Sequence, residues 1–300
     1  MIYWLLVTIL AYLFFAIASF GDKLVLAGKP KPISYTFYMG VFGLLALLFI
    51  PFANFSLPGA AGLGWIILDA FIHILGIYTM YIALKKFEVS KVIATIGATQ
   101  PIFIFILTWV FFEPKTLPVA DIFAFIILVL GSLIISIDRN IETTGKYLAI
   151  TLFSSLMFAF DYIFLKQVFL STSFLNGIIW LSIFLFLLVM FLLIRKKYRE
   201  EILSKPMAFD RKTDAAFLLA QVFGGMGNLF QNFAISLVPV AFLAIVNSLK
   251  GIQYVFLFLI TLFISLFFPK VLKEELSKKI IFQKIISIVL IGAGLAILIL

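Results

Sequence analysis

The chain has 300 residues, 64% of them hydrophobic and 12% charged, with a formal net charge of +9 and a mean hydropathy of +1.21. A soluble domain does not carry that much apolar surface, and the absence of cysteine excludes a disulfide frame, a thiolate metal site and a cysteine nucleophile. In a soluble protein the basic excess would suggest nucleic acid. Here Lys and Arg fall between apolar runs, where membrane orientation accounts for them, so no nucleic-acid partner is expected.

Apolar stretches near twenty residues recur at about 2–20, 33–52, 64–84, 91–112, 119–137, 147–165, 174–194, 215–235, 240–267 and 282–300. Each can cross a hydrocarbon core of about 30 Å as a helix, which predicts an all-α polytopic protein of ten transmembrane helices with no soluble domain left over. In the first span Ala16-Ile17-Ala18 imitates a cleavage site, but no positive region precedes the apolar run, so the span is expected to be mature structure. In the third span Asp69 and His73 are four apart and share a helix face with Gly76 and Met80. Such a pair can relay protons inside a membrane. Alternatively, Asp69 lies near the interface and only fixes the tautomer of His73. In the fourth span Gln100-Pro101 is expected to interrupt the helix.

Asp161 lies within SSLMFAFDYIFLKQ in the sixth span, deeper than a loop residue. In the eighth span Gln221, Gly224, Asn228 and Gln231 or Asn232 recur every three or four residues along one side, as a cavity-lining helix requires. A stripe of interhelical hydrogen bonds would look the same. The ninth span, Val240 to Phe268, places Asn247, Lys250 and Gln253 near its middle, with Tyr254 beside them. A lysine at the centre of a membrane helix costs at least about 2.5–3.5 kcal/mol, and such residues normally face the protein interior or a cavity. Lys250 is therefore read as lining a pathway or site, with Asp161 the first candidate for its partner and Asp69 the second. The other reading is a lysine that snorkels or fixes helix packing.

The two halves resemble each other. Lys85–Phe105 aligned without gaps on Ile235–Phe256 sets Ala94 on Ala244, Gly97 on Asn247, Gln100 on Lys250 and Pro101 on Gly251, and upstream Tyr81-Ile82-Ala83-Leu84 faces Asn232-Phe233-Ala234-Ile235. A five-helix half crosses an odd number of times, so a second half must enter the bilayer inverted. Loop charge swaps sides accordingly: one side of the membrane holds 20 basic residues and the other 2, counting Lys166 as a loop residue. Inverted repeats, here 1–140 and 141–300, are a transporter signature with the substrate site near the midplane. The positive-inside rule puts the basic side in the cytoplasm and both termini outside.

No His-Glu-x-x-His, Gly-rich phosphate loop or Gly-x-Ser-x-Gly elbow is present, and no metal or cofactor is expected. The ALKKFEVSKVIATIGATQPIF block, Glu113 and Glu275 before the last helix of each half, Gly131 and Gly292 within those helices, and the block FPKVLKEELSKKIIFQKIISIVLIGAG together resemble the EamA family of the drug/metabolite transporter superfamily. That resemblance implies ten helices around a central cavity, alternating access, and movement of small metabolites such as amino acids across the cytoplasmic membrane, by a monomer or homodimer. Family members are usually described with both termini in the cytoplasm, the reverse of what this loop charge predicts. On this reading Lys250, Asn247, Gln253, Tyr254, Asn228, Gln231, Gln221 and Gln100 bind substrate, and Asp161, Asp69 and His73 serve as charge partners or proton carriers. The rival readings are a flippase for a lipid-linked headgroup, an intramembrane enzyme with an Asp69/Asp161 dyad, and a non-transporting scaffold.

Overall fold

The structure, a computed structural model, describes residues 2–25, 32–87, 89–112, 117–136, 145–203, 211–267 and 278–299. All their regular structure is helical: α1 (Ile2–Val25), α2 (Pro32–Gly43), α3 (Ala60–Lys86), α4 (Val89–Phe111), α5 (Val119–Ser136), α6 (Gly145–Ser171), α7 (Phe174–Met190), α8 (Lys196–Leu203), α9 (Arg211–Leu237), α10 (Leu243–Ser248), α11 (Lys250–Phe267) and α12 (Lys278–Ile299), with short 3₁₀ segments at Leu44–Phe52, Phe191–Ile194 and Val240–Phe242. Helix is what hydrocarbon demands, because each backbone polar group must find its partner within the segment. Among the described residues, seven helical stretches are long and apolar enough to cross a membrane, and Thr95–Phe111 and Val119–Ile135 form shorter apolar helices. Their outward faces carry Leu6, Trp109, Phe263 and Val289, all more than half exposed. Lipid is the solvent that such a surface fits. The protein is a multi-pass membrane protein. Glu113 and Glu275 lie outside the described residues.

The chain divides into two compact units, each drawing on both halves of the sequence. Unit 1 is Met1–Gly28, Thr108–Asn140 and Phe209–Leu300; unit 2 is Lys29–Leu107 and Ile141–Ala208. In unit 1, α1 lies against α9. A Cβ on Gly227 would come within 2.8 Å of the Phe15 ring, one on Gly224 would sit 3.7 Å from Ala18 Cβ, and Gln231 reaches Tyr12. Rising numbers on α1 meet falling ones on α9, so the helices are antiparallel. α5 and α12 are antiparallel too. A Cβ on Gly131 would fall 2.8 Å from Ile291, and one on Gly294 would fall 2.7 Å from Leu128. Small residues at such seams let membrane helices approach until van der Waals contact holds them.

In unit 2, α3 runs antiparallel to α6, with Gly62 beside Thr172 and Gly76 against the Phe158 ring. α4 runs parallel to α6 and is joined to it by hydroxyls: Thr95 and Tyr147 at 2.6 Å, and Thr99 donating to Ser155 at 2.8 Å. At one end of the unit α8, with its Lys196, Lys197 and Arg199, is tied to α2 by Ser34 donating to the Glu201 carbonyl. At the other end Asn176 Nδ2 and Trp180 Nε1 both donate to the Ser56 carbonyl.

Two expectations are corrected. Lys166 is not a loop residue, because α6 continues to Ser171 and encloses the lysine, which is 3% exposed. Nor does Pro101 interrupt its helix: α4 passes through it without a break. Proline removes one N–H and crowds one carbonyl, and the surrounding helix absorbs that here.

Candidate functional site

Unit 1 contains a broken helix. The ninth span is continuous in composition, yet α10 stops at Ser248, Leu249 is a turn, and α11 starts at Lys250. Two hydroxyls receive the loosened carbonyls. Tyr12 of α1 donates to Val246 O at 3.0 Å and lies 3.4 Å from Asn247 O, and Ser132 of α5 donates to Ser248 O at 3.2 Å. Gln231 Nε2 donates to the Tyr12 hydroxyl at 3.2 Å. On the next turn of α11, Gln253 Nε2 donates to Ser19 Oγ at 3.0 Å and approaches Phe15 O at 3.5 Å. Broken helices of this kind are tolerated in a membrane only where the freed groups are satisfied by protein or line a cavity.

At this break the polar inventory does not close. Asn247 is 1% exposed and its Oδ1 accepts no hydrogen bond. Lys250 is half-buried, and no described residue forms an ion pair with it. It stands in the first turn of α11, where the free N–H groups and the helix dipole also favour an anion.

The remaining polar residues of unit 1 divide by environment. Tyr254 follows Gln253 on α11 and is half-buried. Gln221 is half-buried on α9. Asn228 is exposed and accepts from Asn232 Nδ2 at 2.8 Å, so that end of the expected stripe is a local side-chain pair. Tyr12, Ser19 and Ser132 were not legible as part of the site; the available signal was a hydroxyl inside an apolar span, a weak one because serine and tyrosine are tolerated there for other reasons.

Unit 2 contains the other expected residues. His73 Nδ1 and Asp161 Oδ1 are 2.9 Å apart, so the residue expected to hold Lys250 is taken by the histidine. Asp69 faces Asp161 as well. It is 3% exposed, and its Oδ1 has no hydrogen-bond partner. Nine residues into α3, it lies roughly 13 Å along the helix from Ala60. Gln100, 5% exposed, donates to the Phe158 carbonyl at 3.4 Å and lies in this unit as well. Among the described residues no group of three His, Cys, Asp or Glu side chains could hold a metal ion.

One expected result tests the break. Tyr12→Phe keeps the ring but leaves a buried carbonyl without its donor, a loss of about 1–3 kcal/mol. It should lower the midpoint of thermal unfolding in detergent, and an unchanged midpoint would show that the hydroxyl does not hold the break.

None of the curated proteins matches this chain. A solved crystal structure superposes with a TM-score of 0.64 at 14% identity, covering 97% of this chain and 94% of that one, which is a likeness of fold. Residues 2–137 match the model of the EamA-like transporter family. Over these residues the chain is similar to the EamA-like transporter family, which belongs to the drug/metabolite transporter superfamily.

Proposed function

We propose that the protein is a secondary transporter that moves a small polar metabolite bearing a carboxylate, amino-acid-like in its chemistry, across the cytoplasmic membrane by alternating access. The observation that carries this reading is Lys250, a lysine at a helix break within a membrane span, with no ion pair among the described residues and Asn247 Oδ1 unmatched three residues before it. A cation and an acceptor left over in one place suit a ligand that brings both an anionic group and a donor. Gln253, Gln231, Tyr254 and Gln221 would complete the polar lining.

The architecture we propose is ten spans in two inverted repeats, 1–140 and 141–300, around a central cavity. Matched details within the two units support it. Gly76 lies against Phe158 as Gly227 lies against Phe15; Ser155 donates to the carbonyl of Ile96 as Tyr12 does to that of Val246. The α5 and α12 seam is reciprocal, Gly131 to Ile291 and Gly294 to Leu128. A two-fold relation between antiparallel equivalents produces such exchange.

Thermal unfolding of the purified protein against amino acids, amines, sugar phosphates, nucleosides and lipid headgroups tests the substrate class, since a ligand that binds only the folded state raises apparent stability. Carboxylate-bearing amines should shift the midpoint. Shifts confined to phosphorylated headgroups would instead favour the flippase. The EamA family is a family of transporters, and that argues against an aspartyl dyad of Asp69 and Asp161.

Loop charge supports termini outside and the α8 side in the cytoplasm. Because the chain lacks cysteine, single introduced thiols report sidedness cleanly. Ser56→Cys should react with a membrane-impermeant maleimide on intact cells, and Arg199→Cys only after the membrane is opened. The opposite pattern would reverse the topology.

A further inference from the structure

The polar cluster of unit 2 has a counterpart that shows what packing alone requires. Aligning Gly76 on Gly227 sets His73 on Gly224 and Asp69 on Ala220, and aligning Phe158 on Phe15 sets Asp161 on Ala18. In unit 1 the α1 and α9 crossing closes with Gly224 against Ala18. In unit 2 the equivalent crossing of α6 and α3 carries an imidazole 2.9 Å from a carboxyl, with a second carboxyl beside it. The same seam therefore forms with small uncharged residues in one place and with three ionisable ones in the other. Helix packing does not account for the three.

Charge counting indicates what they hold. The cluster holds two carboxyls and one imidazole, and the imidazole meets Asp161, so fully ionised it has one negative charge more than its own cation balances. Among the elements packed on α3, neither α2 nor α7 contains Asp, Glu, Lys, Arg or His. α6 contributes Asp161, the phenol of Tyr162, Lys166 five residues beyond Asp161, and at its start Lys146 and the phenol of Tyr147; α2 contributes the phenol of Tyr38. α3 itself has the phenols of Tyr78 and Tyr81 and, at its far end, Lys85 and Lys86; α4 has Lys91. Asp69 Oδ1, buried and without a donor, is the atom at which the count stays open.

We infer that Asp69, Asp161 and His73 form a proton-binding site in which one exchangeable proton adds to the Asp69 carboxylate, with Asp161 and His73 as its positioning partners. Binding forms one O–H bond and removes the cluster's excess negative charge; release returns the proton to water and restores the carboxylate. In a transporter such a site couples the proton gradient to transport, and only this last step rests on the transport reading.

The test uses the full-length protein in lipid nanodiscs and needs no substrate. Infrared difference spectra recorded across pH should contain a reversible C=O stretch of a protonated carboxyl that disappears in Asp69→Asn and is shifted in Asp161→Asn and His73→Gln. Absence of such a band, or a band unchanged in Asp69→Asn, overturns the proposal. Thermal unfolding in sodium chloride against choline chloride should give the same midpoint. A sodium-dependent rise lost in Asp69→Asn would make the site one for a metal cation and overturn the proton. The combined Asp69→Ala, His73→Gly, Asp161→Ala variant copies the other seam and should fold without the band; if it fails to fold, the Asp69→Asn spectra decide. Failure of these spectra leaves any ligand shift that depends on Lys250 standing, and the reverse holds as well.

Discussion

Replacing Lys250 by methionine should abolish ligand-induced stabilisation while raising the stability of the empty protein. The two effects have one cause. A charge held half-buried in a membrane helix without an ion pair among the described residues carries a desolvation cost of about 2.5–3.5 kcal/mol on insertion scales, and methionine of similar length removes it. The ligand loses a charge-assisted hydrogen bond worth about 1.5–3 kcal/mol, which corresponds to roughly ten- to hundredfold in affinity. Thermal unfolding of both proteins, with and without a stabilising carboxylate compound, measures both quantities. A structural lysine behaves otherwise. If Lys250→Met lowers the midpoint of the empty protein and keeps the ligand shift, the residue belongs to packing, and the substrate site lies elsewhere.

Gly251→Val should be the most damaging single substitution at the break. A Cβ on Gly251 would collide with Ser132 Oγ and fall 2.9 Å from Ile291 Cδ1. The first collision pushes away the hydroxyl that donates to Ser248 O, and the second disturbs the α5 and α12 seam. Overpacking alone costs typically 1–3 kcal/mol, and the stranded carbonyl adds about as much, against a total stability of about 5–15 kcal/mol for a native protein. The expected outcome is loss of monodisperse protein on size-exclusion chromatography. Gly225→Ala provides the control. Nothing lies within 4 Å of a Cβ there, and alanine is the better helix former by about 1 kcal/mol, so that variant should be as stable as the parent or slightly more. Equal behaviour of the two variants would remove the close approach at Gly251 from the argument.

Seven spans were legible because composition and helical rise decide them with no tertiary information, and the helices other than α8 lie on the stretches that apolar length selects. The shared face of Asp69 and His73 was legible for the same local reason, a spacing of four. The pairing of His73 with Asp161 was not, since a sequence gives no distance between residues 88 positions apart on different helices. Local chemistry misled at Pro101, where a missing N–H suggested a break that the helix does not make. The real break is at Leu249, whose own side chain gives no such sign. It exists because Tyr12 and Ser132, from two other helices, offer hydroxyls to the freed carbonyls. Lys166 was misassigned because α6 outlasts its most apolar stretch by more than a turn.

The reciprocal contact of α5 with α12 bears on how such a protein can diverge. In the repeat reading, an ancestor half as long would have assembled from two identical copies in opposite orientations, and every mutation at Gly131 or Leu128 would have been felt at both ends of the seam. Joining the copies into one chain releases that constraint. Gly294 and Ile291 can now vary without their counterparts, and by the same freedom one seam acquires two acids and a histidine while its twin keeps alanine and glycine. On that reading, duplication followed by fusion lets one seam specialise in charge while its twin retains only the task of packing.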